Sequence, residues 1–412
     1  MIPTILIAST ARWFATPRLG IAFAKLGCNV EAICPVPHPL RVTKAVRRTH
    51  PYQAISPLDS FLRAINSSHP DLIVPGDDLA NKHLQDLYYS QEKKSDKEGG
   101  AICELIERSI GSPDSFPIVI ARASFMELAR QEGIRVPKTA VLADVSDLET
   151  WTSQMGFPVV LKTDGSSSGD GVRIAYTLIE AKRALRALQA PPQLIRVAKR
   201  VLIGRDMRWI RPAFERRHSV VNVQECITGR DATSLVACWK GEVLAALHFE
   251  VIKKQYERGP SSVLRLIENE EISVVTKKAA RRLNISGLHG FDFLLEKETE
   301  RPYLIEINPR ATQVGHLALG PGRDLPAALR AAVSGEPIST TKKVTENPMI
   351  ALFPQELSRD PHSLLLDSAY HDIPWEEPDL ILDCLRKTRR WNDWRSLEEC
   401  LCILSARCSP LV

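Results

Sequence analysis

Two short stretches near residue 300 set acidic groups among apolar ones. The first reads His289-Gly290-Phe291-Asp292-Phe293-Leu294-Leu295, and the second Tyr303-Leu304-Ile305-Glu306-Ile307-Asn308-Pro309-Arg310. As a hairpin-like strand pair they can bring Asp292 and Glu306 to one cavity. Asn308, two residues beyond Glu306, points the same way on a strand. Three hard oxygen donors on one face suit a magnesium-sized cation, which takes a few carboxylates and fills its shell with phosphate and water oxygens. A carboxylate flanked by Leu304, Ile305 and Ile307 is costly to bury without a cation or hydrogen-bond donors. The bland alternative makes both acids ordinary outward strand residues, although Glu-x-Asn-Pro-Arg is hard to justify as plain surface.

A second constellation lies upstream. The apolar run Gly156-Phe157-Pro158-Val159-Val160-Leu161 ends in Lys162, and Thr163-Asp164-Gly165-Ser166-Ser167-Ser168-Gly169-Asp170-Gly171 follows. Glycines let backbone N–H groups turn toward phosphate oxygens, serines add donors, and the strand lysine adds a positive charge. No G-K-[ST] opens a helix here, so the loop is not a Walker A motif, nor is it a dinucleotide G-x-G-x-x-G. Taken alone, such a loop is more often a flexible surface turn. Lys162 before it and the acidic pair after it favour a phosphate grip.

These side chains need elements to hold them. The first segment alternates: a strand at Thr4–Ala8, a helix from Pro17 to Leu26 stopped by Gly27, a strand at Asn29–Cys34, a helix from Pro57 to Asn66, and a strand at Asp71–Pro75. That rhythm predicts a small open parallel sheet. Gly76-Asp77-Asp78 falls at a strand's carboxyl end, where ligands bind in such sheets. Residues Gln91 to Gly100 are charged and poor in apolar groups, which predicts a surface loop or linker, and a helix is expected at Ser124–Gln131. Beyond Phe157 the pattern changes to antiparallel strands. Val220–Cys226 alternates, Leu235–Trp239 and Val243–Phe249 flank the tight turn Lys240-Gly241, and a helix runs from about Glu271 to Leu283. The tail from about Ser339 is weakly patterned and carries Trp375, Trp391 and Trp394, expected to pack against the core. No internal repeat or low-complexity tract is present.

With 412 residues and 44% hydrophobic composition, the chain is long enough for two or three packed domains. The net charge of +5 is spread along it. The clusters Arg47-Arg48 and 386–390 read as solvated surface, and no nucleic-acid motif accompanies them. Nine cysteines, an odd number without a C-x-x-C, fit neither a zinc site nor a disulfide framework. They are expected to be reduced thiols, mostly buried, in a cytoplasmic protein. Residues 1–30 lack Asp and Glu, as a transit peptide would. The strand and helix read there are the better explanation, and the apolar run is too short for a membrane span.

Together the G-F-P-V-V-L-K run with its Gly/Ser loop, F-D-F, and L-I-E-I-N-P-R resemble the ATP-grasp superfamily. The likeness is to the carboxylate–amine ligase and biotin-carboxylase branch more than to D-alanine ligases, and it spans roughly residues 1–335. It implies a mixed α/β and α+β architecture: an open parallel α/β (pre-ATP-grasp) domain at 1–115, then a two-subdomain ATP-grasp fold with antiparallel sheets at 116–335. The lid-bearing subdomain would run over about 137–225 and the metal-binding one over about 226–335, with 336–412 a C-terminal extension.

The resemblance also assigns roles. Lys162 looks like the strand lysine on the nucleotide phosphates, and Gly165, Ser166, Ser167, Ser168, Gly169 and Gly171 like the lid. Glu225, Cys226 and Ile227 resemble the hinge that holds adenine, and Asp231 the acid on the ribose, although the family's acid usually lies nearer the glycine. Arg122 sits where a first phosphate-binding cation is often found; an exposed helix arginine is the alternative. Asp292, Glu306 and Asn308 resemble the metal ligands and Arg310 the substrate-side arginine. The implied cofactors are ATP with Mg²⁺ or Mn²⁺. The implied reaction phosphorylates a small-molecule carboxylate and couples it to an amine, releasing ADP and phosphate. A biotin-carboxylase-like use of bicarbonate and a non-catalytic ATP-binding protein are the alternatives. No nucleic-acid or membrane partner is implied, and a homodimer is the commonest assembly to expect. His289 is expected to be structural, His316 and Gln313 either line the substrate site or pack, and Arg258 and Arg265 read as solvated.

Overall fold

The computed structural model describes residues 2–94, 96–164, 171–190, 220–257, 259–337 and 342–386. Three sheets organise them. The first is parallel and holds β1 (Thr4–Ala8), β2 (Asn29–Cys34), β3 (Arg48–Pro51) and β4 (Leu72–Pro75) in the order β3-β2-β1-β4. Ile5, Ile7 and Val30 meet Leu19 and Phe23 of the helix Ala15–Lys25 on one face. Leu6, Ile33 and Ile73 meet three further helices on the other. A sheet buried on both faces explains why these strands read as apolar runs rather than alternating ones.

Two of those three helices correct the expected loop at 91–100. Helix Asp78–Glu92 and helix Lys97–Ile110 leave only a short break between them. The Asp96 carboxylate accepts from the Gly99 N–H at 2.6 Å and so caps the second helix. Ile102, Leu105 and Ile106, spaced along one face, are buried against the sheet and outweigh the poor helix propensity of Gly99-Gly100. Strand β3 was also missed. It is a short edge strand with exposed ends, and its register is fixed by Arg48 and His50 on Glu31.

The second sheet is antiparallel, with β5 (Thr139–Leu142), β6 (Val159–Thr163), β7 (Val172–Ala175) and β8 (Val221–Glu225) in the order β5-β8-β6-β7. Alternate residues Val159, Leu161, Val221 and Val223 pack under the helices Val145–Met155 and Leu178–Gln189. Lys162, Asn222 and Gln224 therefore occupy the other face.

The third sheet contains β9 (Gly229–Trp239), β10 (Glu242–Lys254), β11 (Ser261–Leu266), β12 (Gly287–Glu296), β13 (Pro302–Asn308), β14 (Met349–Leu352) and β15 (Tyr370–Asp372). Their order is β13-β12-β9-β10-β11-β14-β15. One face packs on the helices Arg122–Gln131 and Glu270–Leu283. Leu235, Leu247 and Phe249 of the opposite face join the core of the parallel sheet. Strands β14 and β15 come from the weakly patterned tail, which thus continues this sheet. Buried Asp372 on β15 ties them to the first segment: it accepts from Arg18 at 2.5 Å and pairs with His316 at 2.8 Å. Among the described residues no helix is long and apolar enough to cross a membrane.

Candidate active site

The hairpin β12–β13 was the strongest expectation, and the structure sets Asp292 directly across from Glu306. The register then skips: Phe293 pairs with Leu304, so Ile305 is an extra residue in β13. Such a bulge changes which side chains share a face. Leu304 and Ile307 both enter the core, while Glu306 and Asn308 remain on the cavity side. The Asn308 amide donates to Asp292 Oδ2 at 2.9 Å, and the Thr233 hydroxyl of β9 donates to Asp292 Oδ1 at 2.9 Å. Burial first, and then the nearby charge of Glu306, raise the Asp292 carboxyl above the usual range.

Arg122 opens its helix beneath this hairpin. Its guanidinium donates to Glu306 Oε1 at 2.5 Å and to the Thr163 carbonyl at 3.0 Å, so one side chain joins the third sheet to the end of β6. The exposed alternative for Arg122 is excluded, since only 8% of the side chain is accessible. Lys162, one residue before Thr163, is buried. Burial, and then the like charge of Arg122, lower its ammonium to about 8, although Glu306, Asp292 and Asp231 pull the other way. Two acids and two cations from distant segments thus share one place. Arg122 and both acids, with Asn308 and Arg310 among others, line a cavity of about 250 Å³, and Lys162 is buried outside its lining.

Arg310 spans the cavity's other boundary. Its Nε donates to Asp78 Oδ1 at 2.9 Å and its Nη2 to Asn308 Oδ1 at 3.2 Å. The loop that carries it docks on the carboxyl end of the parallel sheet: Ala311 N–H donates to the Pro75 carbonyl at 3.0 Å, and buried Asn81 donates to the Pro309 carbonyl at 2.6 Å. Asp77 accepts from Thr10 N–H at 2.6 Å and caps the helix Asp78–Glu92, which orients that end. Gly76-Asp77-Asp78 therefore supports the site through Arg310 and the loop after β1.

The remaining expected positions divide. Cys226 and Ile227 are half-buried in the link between the second and third sheets. The Glu225 carboxylate accepts from the Lys138 backbone N–H at 3.2 Å on the β5 side. Asp231 lines the cavity but is ion-paired with Lys254 at 2.7 Å. Gly171 closes the base of the β6–β7 hairpin, its carbonyl accepting from Thr163 N–H at 3.0 Å. Gly165, Ser166, Ser167, Ser168 and Gly169 lie outside the described residues, as do Arg258, Trp391 and Trp394. His289 is buried, and burial lowers its imidazole to about 3, which fits a structural residue rather than a base. Gln313 lines the cavity and accepts from Gln355 at 2.8 Å. Arg265 is not simply solvated; it pairs with buried Glu250.

Sequence reading missed Thr233 and Asn222, and it named Asp78 without seeing that it holds Arg310. For Thr233 a signal existed. On β9 the residues Asp231-x-Thr233-x-Leu235-x-Ala237 change from polar to apolar on one face, which marks where core gives way to cavity. Asn222 donates to Asp164 at 2.8 Å at the start of the Gly/Ser loop. That pairing joins two strands and has no local signature.

Comparison with known proteins bears on the same region. Residues 121–319 match the family described as "Carbamoyl-phosphate synthase L chain, ATP binding domain". The carbamoyl phosphate synthase large chain of Kocuria rhizophila is 24% identical over 211 residues, covering 49% of this chain and 17% of that one. A D-alanine–D-alanine ligase of Clostridium novyi is 25% identical over 166 residues, covering 39% of this chain and 43% of its own. This chain thus spans less than half the length of either relative. Among solved structures, the biotin carboxylase domain dimer of Hydrogenobacter thermophilus 2-oxoglutarate carboxylase, crystallised with MgADP, ADP and bicarbonate, shares the fold at a TM-score of 0.56. It is 18% identical, over 82% of this chain and 71% of that one.

Proposed function

We propose that the ATP-grasp domain carried by this chain binds Mg-ATP between its two antiparallel sheets and activates a small-molecule carboxylate for capture by an amine. The convergence of Asp292, Glu306 and Asn308 with Arg122 on one cavity, with the buried Lys162 ammonium coupled to the same charges, carries this reading.

The residues present fit a divalent cation. Two carboxylates face each other across a strand pair, and burial with mutual repulsion raises one of them. Among the described residues no group of three His, Cys, Asp or Glu side chains could hold a metal ion. The cation would therefore rest on Asp292, Glu306 and the Asn308 amide oxygen, with phosphate oxygens and water completing its shell. Bound there, Mg²⁺ or Mn²⁺ supplies positive charge against the polyphosphate.

Lys162 and Arg122 hold phosphate oxygens, and Gly165–Gly171 cover them against water. Cys226 and Ile227 receive the adenine in the link between the sheets, and Asp231, released from Lys254, receives the ribose. Arg310 orients the carboxylate. One carboxylate oxygen attacks the γ-phosphorus, the bond to the β-phosphate oxygen breaks, and ADP leaves. The amine then attacks the acyl carbon and loses a proton, and the C–O bond to phosphate breaks. Arg310 stabilises the oxyanion in between. In this organisation residues 1–115 brace the acceptor side, 116–335 form the ATP-grasp unit, and later residues add edge strands to it.

The test mixes the protein with ATP, Mg²⁺ and pools of amino acids, other carboxylic acids and bicarbonate, and follows ADP release. With the carboxylate labelled by ¹⁸O, one labelled oxygen should appear in the phosphate. ADP release without that transfer would exclude an acyl phosphate.

A further inference from the structure

The rest of the cavity's lining comes from other elements. The parallel sheet runs β1, β2, β3 in one direction and places β4 on the other side of β1. The crevice outside the carboxyl ends of β1 and β4 is a topological switch point, where open α/β sheets take ligands. The loop after β4 is occupied: Asp77 caps a helix and Asp78 holds Arg310. The loop after β1 contributes Trp13, which lines the cavity. Thr312, Gln313 and Val314 follow Arg310 and line it from the loop docked on β4. Val251 of β10 and Leu264 of β11 complete an apolar side.

Two of these lining residues carry unpartnered polar atoms. The Trp13 indole N–H and the Thr312 hydroxyl are shielded from solvent and have no hydrogen-bond partner. The same holds for one guanidinium nitrogen of Arg12 and for the amide oxygen of Gln355, whose amide nitrogen donates to Gln313. Buried polar groups are nearly always paired, so the two orphans lining this cavity, Trp13 and Thr312, point to an absent partner. The Trp13 loop is also held in place, since Arg12 bonds Asp383 on the helix Pro378–Leu385 and the Trp13 ring lies 4.4 Å from Phe14.

From this we infer that Trp13 and Thr312 form the acceptor subsite, and that it takes a carboxylic acid with an apolar body and a hydrogen-bonding group, the size of an apolar amino acid. Resting on the ligase reading above, the inference adds substrate class. Arg310 meets the carboxylate, to which the indole N–H of Trp13 also donates. Trp13, Val251, Leu264 and Val314 cover the apolar body, and the Thr312 hydroxyl accepts from the amino group. Strongly polar acids gain nothing from the apolar side and leave it wet.

Two measurements test it. In the ¹⁸O-transfer assay, L-leucine and L-phenylalanine should be used at least tenfold better than L-aspartate, L-lysine or bicarbonate. Trp13→Ala should raise KM for them roughly tenfold, with the loss falling on the acid rather than on ATP affinity. Trp13→Phe, which keeps the apolar contact and removes the N–H, should fall between. Preference for aspartate, lysine or bicarbonate, or an unaltered KM in Trp13→Ala, overturns the proposal. Separately, the indole N–H proton resonance of Trp13, assigned by its absence in Trp13→Phe, should shift on adding L-phenylalanine. If it shifts while ATP does not bind, the subsite stands and the ligase reading fails. If ATP is turned over and the resonance never moves with apolar acids, the subsite fails.

Discussion

Lys162 gives the sharpest test of the phosphate assignment. The side chain is buried at the end of β6, and burial with the like charge of Arg122 lowers its ammonium from 10.5 to about 8. Below that value the free protein presents a cation to the phosphates; above it the amine is neutral. At about pH 9 only about a tenth of the molecules carry the charge, so the apparent Kd for ATP should rise roughly tenfold over its value near neutrality. That corresponds to about 1.4 kcal/mol. Lys162→Met should remove this dependence and weaken binding at neutral pH by roughly ten- to a hundredfold, the value of a charge-assisted hydrogen bond. Stability should move the other way. A lysine whose folded value is depressed costs stability fully below about 8, and the cost is relieved as pH rises toward 10.5. The methionine variant should therefore melt at or above the wild-type temperature at neutral pH, with the gain fading in alkali. Calorimetric titration with ATP from about pH 7 to about pH 9.5, beside thermal melts of both proteins, reads both effects. A flat affinity profile in the wild type, or wild-type affinity in Lys162→Met, would refute the phosphate role.

Other substitutions probe the metal site and the frame around it. Glu306→Gln should abolish ATP turnover while circular dichroism and melting stay close to wild type; wild-type rates would remove Glu306 from the cation site. Gly287→Ala should destabilise the chain by about 2–4 kcal/mol in denaturant titration, because φ is +80° there and an added Cβ would lie 2.2 Å from the Ser109 carbonyl oxygen. Asp372→Asn should cost about 3 kcal/mol or more, since it leaves Arg18 and His316 without their buried partner. Burial alone would raise the Asp372 carboxyl, but Arg18 and His316 hold it below the usual range. Its contribution is therefore present above the ordinary carboxylate pKa and disappears as acid titrates the folded state; wild-type acid stability in the Asp372→Asn protein would contradict this.

What could be read from the chain alone followed from local pattern. The strand–helix rhythm of residues 4–75 and the two-stranded run around Asp292 and Glu306 are periodic over enough residues to declare themselves, and the structure has both. Helix Lys97–Ile110 was hidden because its opening turn is charged and glycine-rich, and only burial of its far face makes it stable. The two strands of the tail were hidden for a similar reason: they are short, and their pairing at the end of the sheet, not composition, defines them.

Sequence by itself pointed to the type of chemistry proposed, because a strand lysine, two acids and an asparagine in apolar settings are costly to keep without charged ligands. Only the tertiary structure decided how they are aimed. The bulge at Ile305 turns Glu306 and Asn308 to the cavity, Arg122 reaches Glu306 across 184 residues, and Arg310 is held by Asp78 at the end of another sheet. Propensity and periodicity act over a few residues. Ion pairs between distant strands depend on how whole sheets pack, and no local window contains that information.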